Sequence, residues 1–98
     1  MAAIMITVGM LAEDGDADLQ RYAEGVIPLL HQAGVQILGR YQGLETLVGD
    51  DRFDLVSVMA FPSIQAMKQF LASDDYSAMI PYRNKAFKFI RTFACNPL

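Results

Sequence analysis

The chain has 98 residues, enough for one small domain and too few for two ordinary ones. Apolar residues make up 53% of it and charged residues 19%, the latter below the usual value of about 25%. So apolar a chain buries enough surface to offset its ordering entropy, which excludes disorder. A net charge of −3 argues against a phosphate-backbone binder, so no nucleic-acid partner is expected. The charge is uneven: residues 1–54 carry nine acids and three bases, residues 55–98 two acids and five bases. Cys95 is the only cysteine, which leaves no intrachain disulfide and no thiolate metal cluster. The uncharged apolar stretch Ala2 to Ala12 is well short of the roughly 20 residues a membrane span needs. No basic residue precedes Arg21, so that stretch does not read as a secretory signal. A soluble cytoplasmic protein with no membrane partner is the expectation.

Ile4, Ile6, Val8 and Met10 alternate with Met5, Thr7, Gly9 and Leu11, which predicts a strand apolar on both faces. An acidic turn follows at Glu13 to Asp16, with Asp16 as the expected N-cap of a helix. Leu19, Tyr22, Ala23, Val26, Ile27 and Leu30 have amphipathic helical spacing. Pro28 predicts a kink near Gly25, and Gly34 a left-handed cap. Val35 to Tyr41 reads as a second strand, bending at Gly39 or Gly43 and resuming through Leu44 to Val48. After a turn at Gly49–Asp51, Phe53 to Phe61 reads as a third strand, again apolar on both faces, and Pro62 stops it. Ser63 is the expected cap of a second helix, and Ser73 of a short segment through Ile80 that Pro81 interrupts or restarts. Phe87 to Phe93 supplies the last strand.

The order β-α-β-β-α-β predicts an α+β, ferredoxin-like fold with a four-stranded antiparallel sheet, residues 1–98 forming a single domain. Two helices cover one face of such a sheet. Strands that are apolar on both faces need a second cover, and the simplest is the same face of another copy.

Leu38, Arg40 and Gly43, then Phe61-Pro62-Ser63, Ser73, Tyr76 and Arg83, resemble a family catalogued as a domain of unknown function, number thirteen-thirty. That family falls in the dimeric α/β-barrel superfamily. The most specific part is the spacing from the Phe-Pro-Ser turn through Ser73 and Tyr76 to Arg83. The resemblance implies a homodimer whose sheets pair into a barrel around a cavity, and it brings no assigned function. Two departures stand out: Ala60 occupies a place where the family often has an acid, and Tyr41-Gln42-Gly43 follows Arg40 where it often has two glycines.

Five residues are candidate ligand contacts. Arg40 keeps its charge, so in a cavity it needs an anionic or carbonyl partner; an ion pair with Asp54 or another acid is the alternative. Tyr41 and Ser57 are polar groups on the strands that would line the cavity. Tyr76 and Arg83, seven apart, would share a helix face if Pro81 leaves the helix whole; capping a helix or closing an interface is their plainer use. His31, the sole histidine, is the one candidate general base, although the end of a helix more often carries a surface histidine. No metal site and no cofactor are expected, because one histidine without partners is a poor ligand set. These residues predict a homodimeric barrel that binds a small organic molecule, with an enclosed pocket of roughly 300 Å³ or more. The alternative is a cofactor-free monooxygenase or isomerase acting on a small aromatic or enolisable substrate. That alternative needs a base within reach of the cavity.

Overall fold

Alternation along the first segment puts Ala3, Met5, Thr7 and Gly9 on one side of strand β1 (Ala3–Leu11) and Ile4, Ile6, Val8 and Met10 on the other. In the computed structural model, which describes residues 2–98, Ala3 and Met5 are buried while the opposite row is only partly covered. Helix α1 (Asp16–Gln32) follows. Gly15 precedes it without a side-chain cap, so Asp16 is the first helical residue and favours the helix through the dipole. The helix continues as one element through Pro28. Gly25, expected at a kink, is instead a packing site, since any side chain there would collide with the thioether of Met79. At the far end Gly34 takes φ +72°. The Gly34 amide donates to the His31 carbonyl and the Val35 amide to the Leu30 carbonyl, at 3.1 and 3.0 Å. This is a Schellman cap, and Leu30 and Val35 are both buried in the core.

Strand β2 (Gln36–Gln42) bulges between Ile37 and Gly39. The expected resumption of this strand at Leu44–Val48 does not occur, because those side chains find no neighbouring strand and stand in solvent. Residues 43–54 form a long loop instead, and β3 (Leu55–Phe61) begins two residues later than expected. Ser63 caps α2 (Ile64–Ala72), its hydroxyl accepting from the Ala66 amide at 3.0 Å. Ser73 caps α3 (Asp74–Ser77) in the same way. Pro81 falls in the first turn of α4 (Ile80–Ala86), where a missing amide hydrogen costs nothing, so it restarts the helical path. Strand β4 (Phe87–Cys95) completes the sheet.

All three strand pairings are antiparallel, and the sheet order is β2-β3-β1-β4, the ferredoxin-like arrangement. The core of Met5, Val26, Leu30, Phe61, Met67, Phe70 and Tyr76 lies between one face of the sheet and the helices. The other face carries Ile4, Ile6, Val8 and Met10 of β1 beside Val56 and Val58 of β3 and Phe89 and Phe93 of β4. Among the described residues, no helix is long and apolar enough to cross a membrane.

Phe61 is 1% exposed and meets Phe70 edge-on at 5.7 Å. Phe61→Ala should therefore cost about 3–5 kcal/mol of stability, whereas Ser63→Ala, which removes a cap, should cost about 1 kcal/mol. Urea unfolding of the two variants checks that order.

Candidate functional site

The space between α1 and the inner face of the sheet is not filled. A cavity of about 110 Å³ remains there. Its wall is mainly apolar, with Met5, Val26, Leu30, Ile37, Met59 and Ile90 among the lining residues. Six polar side chains reach it: Thr7, Tyr22, Arg40, Ser57, Tyr76 and Thr92. No aspartate, glutamate or histidine lines it. The volume is about a third of that expected from the sequence, and of the order that admits a single benzene ring in an apolar pocket.

The strongest polar feature is a chain of three side chains from three helices. Arg83 of α4 donates from Nη1 to the Tyr76 hydroxyl of α3 at 3.1 Å. The Tyr76 and Tyr22 hydroxyls are hydrogen-bonded at 2.8 Å. Although the helix breaks between Tyr76 and Arg83, the turn before α4 still brings the pair together. Edge-on aromatic contacts fix the rings, Tyr22 against Tyr76 at 6.3 Å and against Phe87 at 6.5 Å. Tyr76 also stacks at a tilt on Phe70 at 5.4 Å.

Proton counting gives this chain its chemistry. The two hydroxyls have two protons, and their mutual bond uses one of them. Whichever tyrosine donates, one O–H remains without a protein acceptor among the described residues, and both tyrosines belong to the lining of a cavity that has no carboxylate. Burial is the main cause that pushes the Tyr22 phenol well above its ordinary range; the Tyr76 hydroxyl adds to the rise and the Arg83 guanidinium opposes it. Tyr22 is thus a proton donor at neutral pH and not a base. Arg83 Nε is buried without a hydrogen-bond partner.

The structure brings together four of the six singled-out residues in two groups. Arg40 and Ser57 face each other across the β2–β3 ladder and both line the cavity, although Arg40 is itself exposed to solvent. Tyr76 and Arg83 form the hydrogen-bonded pair, of which Tyr76 is at the wall. Tyr41 stands on the other side of the sheet, opposite Val56, exposed, with its ring over Gly39. His31 lies exposed in the last turn of α1 and away from the cavity wall. Asp54 is not the partner of Arg40: its carboxylate accepts from the Leu11 amide at 2.8 Å and pairs with Arg52 at 3.5 Å. Tyr22 went unnoticed in the sequence as one more position on an amphipathic helix. The signal was its hydroxyl, which on a buried face needs a partner. Among the described residues, no three His, Cys, Asp or Glu side chains come together as a metal-binding group.

Known proteins agree with this architecture. A protein of unknown function from Rhodopseudomonas palustris superposes with a TM-score of 0.87 at 20% identity, over 99% of this chain and 82% of that one. A DABB-family protein with a ferredoxin-like fold from Mesorhizobium loti gives 0.71 at 14% identity, over 99% and 97% of the two chains. A dimeric protein of unknown function with a ferredoxin-like fold from Bacteroides fragilis gives 0.66 at 13% identity, over 96% and 94%. These likenesses define a ferredoxin-like α+β protein. Residues 7–93 match the family model described as a domain of unknown function, DUF1330, and the chain belongs to that family. No curated protein matches the sequence.

The raised Tyr22 ionisation has a consequence for stability. Below about pH 10 the phenol is protonated in both folded and unfolded chains, so stability there owes nothing to it. Above that pH the unfolded chain releases the proton first, and stability should fall by about 1.4 kcal/mol per pH unit. Urea unfolding between pH 9 and 11 should show a shallower alkaline decline for Tyr22→Phe than for the wild type.

Proposed function

We propose that this protein binds a small organic molecule with a hydrogen-bond acceptor, seated in the cavity between α1 and the sheet. One observation carries the reading: a mainly apolar cavity lined by Tyr22 and Tyr76, whose hydroxyls share one hydrogen bond and leave one O–H without a protein acceptor, and lined by no acidic side chain among the described residues. Such a wall suits a carbonyl, carboxylate or enolate oxygen and disfavours a cation. Arg40 and Ser57 form a second polar end, near the loop at residues 43–54. The cavity volume limits the ligand to about one small ring or a short branched chain. We further read the protein as a cytoplasmic homodimer, with the open apolar sheet face as the surface a second copy covers. Self-association has a precedent in the Bacteroides fragilis neighbour, described as dimeric. Binding is favoured over turnover because the candidate base His31 is remote and the cavity wall supplies no other.

Three probes test the proposal by NMR titration of the methionine methyl groups: cyclohexanone, benzoate and cyclohexylamine. The first two should shift Met5 and Met59, and the amine, a cation at neutral pH, should not. The double variant Tyr22→Phe/Tyr76→Phe keeps the apolar wall and removes both hydroxyls. It should weaken the bound probes about tenfold, the worth of one hydrogen bond to a ligand acceptor. Equal binding by the double variant, or no shift with either acceptor probe, would overturn the reading.

A further inference from the structure

Among the described residues, the most exposed large apolar side chains are not on the sheet. Apart from the terminal Leu98, they are Leu44, Leu47 and Val48, exposed at 94, 84 and 93%. All three belong to the loop at residues 43–54, which the Thr46 hydroxyl ties back to the Asp51 carbonyl. The same loop carries the acids Glu45, Asp50 and Asp51, all exposed. Isolated exposed leucines are ordinary, but three in five residues on one tied loop form a patch.

The molecule also exposes more surface than its mass requires. A folded monomer of 10.9 kDa shows about 5,600 Å², whereas this chain shows 6820 Å². The excess, about 1,200 Å², exceeds the roughly 800 Å² that each partner contributes to an interface of standard size. It goes with a slab only 17 Å thick, its sheet covered on one side.

Electrostatics selects what can sit on the open face. Among the described residues, Arg91, between Phe89 and Phe93, is the one charged side chain that the paired positions place there; Lys88 lies in the β1–β4 register shift and pairs with no residue. Its guanidinium lies over the Phe89 ring at 5.2 Å and donates to the Ile90 carbonyl at 3.0 Å, with no carboxylate in ion-pair reach among the described residues. A partner that covers this face strands a desolvated cation unless it brings an acid. The 43–54 loop has acids and apolar side chains side by side. It leaves the sheet from β2 and returns in β3, and β2 is the edge opposite β4. Two sheets stacked face to face about an axis along the strands set the β2 edge of one copy over the β4 edge of the other.

We infer that the 43–54 loop is a clamp between two copies of this chain: Leu44, Leu47 and Val48 of one copy cover Phe89 and Phe93 of the second, and the loop's acids meet its Arg91. The inference rests on the homodimer reading and adds the element that holds the two copies in register.

Sedimentation velocity of the full chain across a dilution series tests it. Leu47→Asp/Val48→Asp should raise the dimer dissociation constant by about a hundredfold while leaving the monomer's circular dichroism unchanged, because both side chains already stand in water. Arg91→Glu should also weaken the dimer, and adding Glu45→Lys, Asp50→Lys and Asp51→Lys to it should restore association. If the wild type dimerises and Leu47→Asp/Val48→Asp dimerises equally well, the clamp is overturned and the homodimer reading stands. A wild type that stays monomeric throughout overturns both.

Discussion

A four-stranded sheet has two faces, and 98 residues provide helices for only one of them. That constraint organises the molecule. The covered face takes the large side chains, Phe61, Phe70 and Met67 against Ala3 and Met5, and its packing sets where α1 can lie. The uncovered face keeps isoleucine, valine and phenylalanine at positions where a monomer would favour polar residues. A hydrophobic surplus visible in the bare composition thus becomes a flat apolar surface in the fold.

The same packing explains why a cavity survives. Near the core, Phe61 and Phe70 fill the space between sheet and helices. Along α1, β1 presents Thr7 and Gly9, and β4 presents Thr92, side chains too small to reach the helix. Gly25 lets Met79 press against α1, which locks the α4 segment in place and carries Arg83 to Tyr76. The hydrogen bonds Arg83–Tyr76 and Tyr76–Tyr22, the edge-on aromatic contacts of Tyr22 and the guanidinium of Arg83 near the Tyr76 ring hold that chain in place.

Much of the fold was legible because its signals are local. Two-sided apolar alternation marked β1 and β3, serines at 63 and 73 marked helix starts, and Gly34 marked a cap. Non-local packing decided what stayed hidden. Leu44 to Val48 has the composition of a strand and no partner to pair with, so only the assembled sheet shows it as a loop. The Arg40–Asp54 pairing failed because Asp54 is needed at the Leu11 amide, a contact made across 43 residues of chain. In the site, Tyr76 and Arg83 could be picked out by spacing, whereas Tyr22 becomes visible only when α1 docks and its hydroxyl meets Tyr76. A one-residue difference in face separates Arg40 from Tyr41, and the bulge after Ile37 determines which of them lies on the helix-covered side of the sheet, where Arg40 still stands exposed.

The central claim is that a tyrosine hydroxyl in this cavity is reserved for a ligand oxygen. A crystal structure of the protein soaked with cyclohexanone tests it most directly. The account predicts the ring among Met5, Val26 and Met59, with its carbonyl oxygen at hydrogen-bond distance, about 2.7 Å, from the hydroxyl of Tyr22 or Tyr76. An empty cavity under the soak, or a ring bound there with its oxygen turned away from both tyrosines, would contradict it.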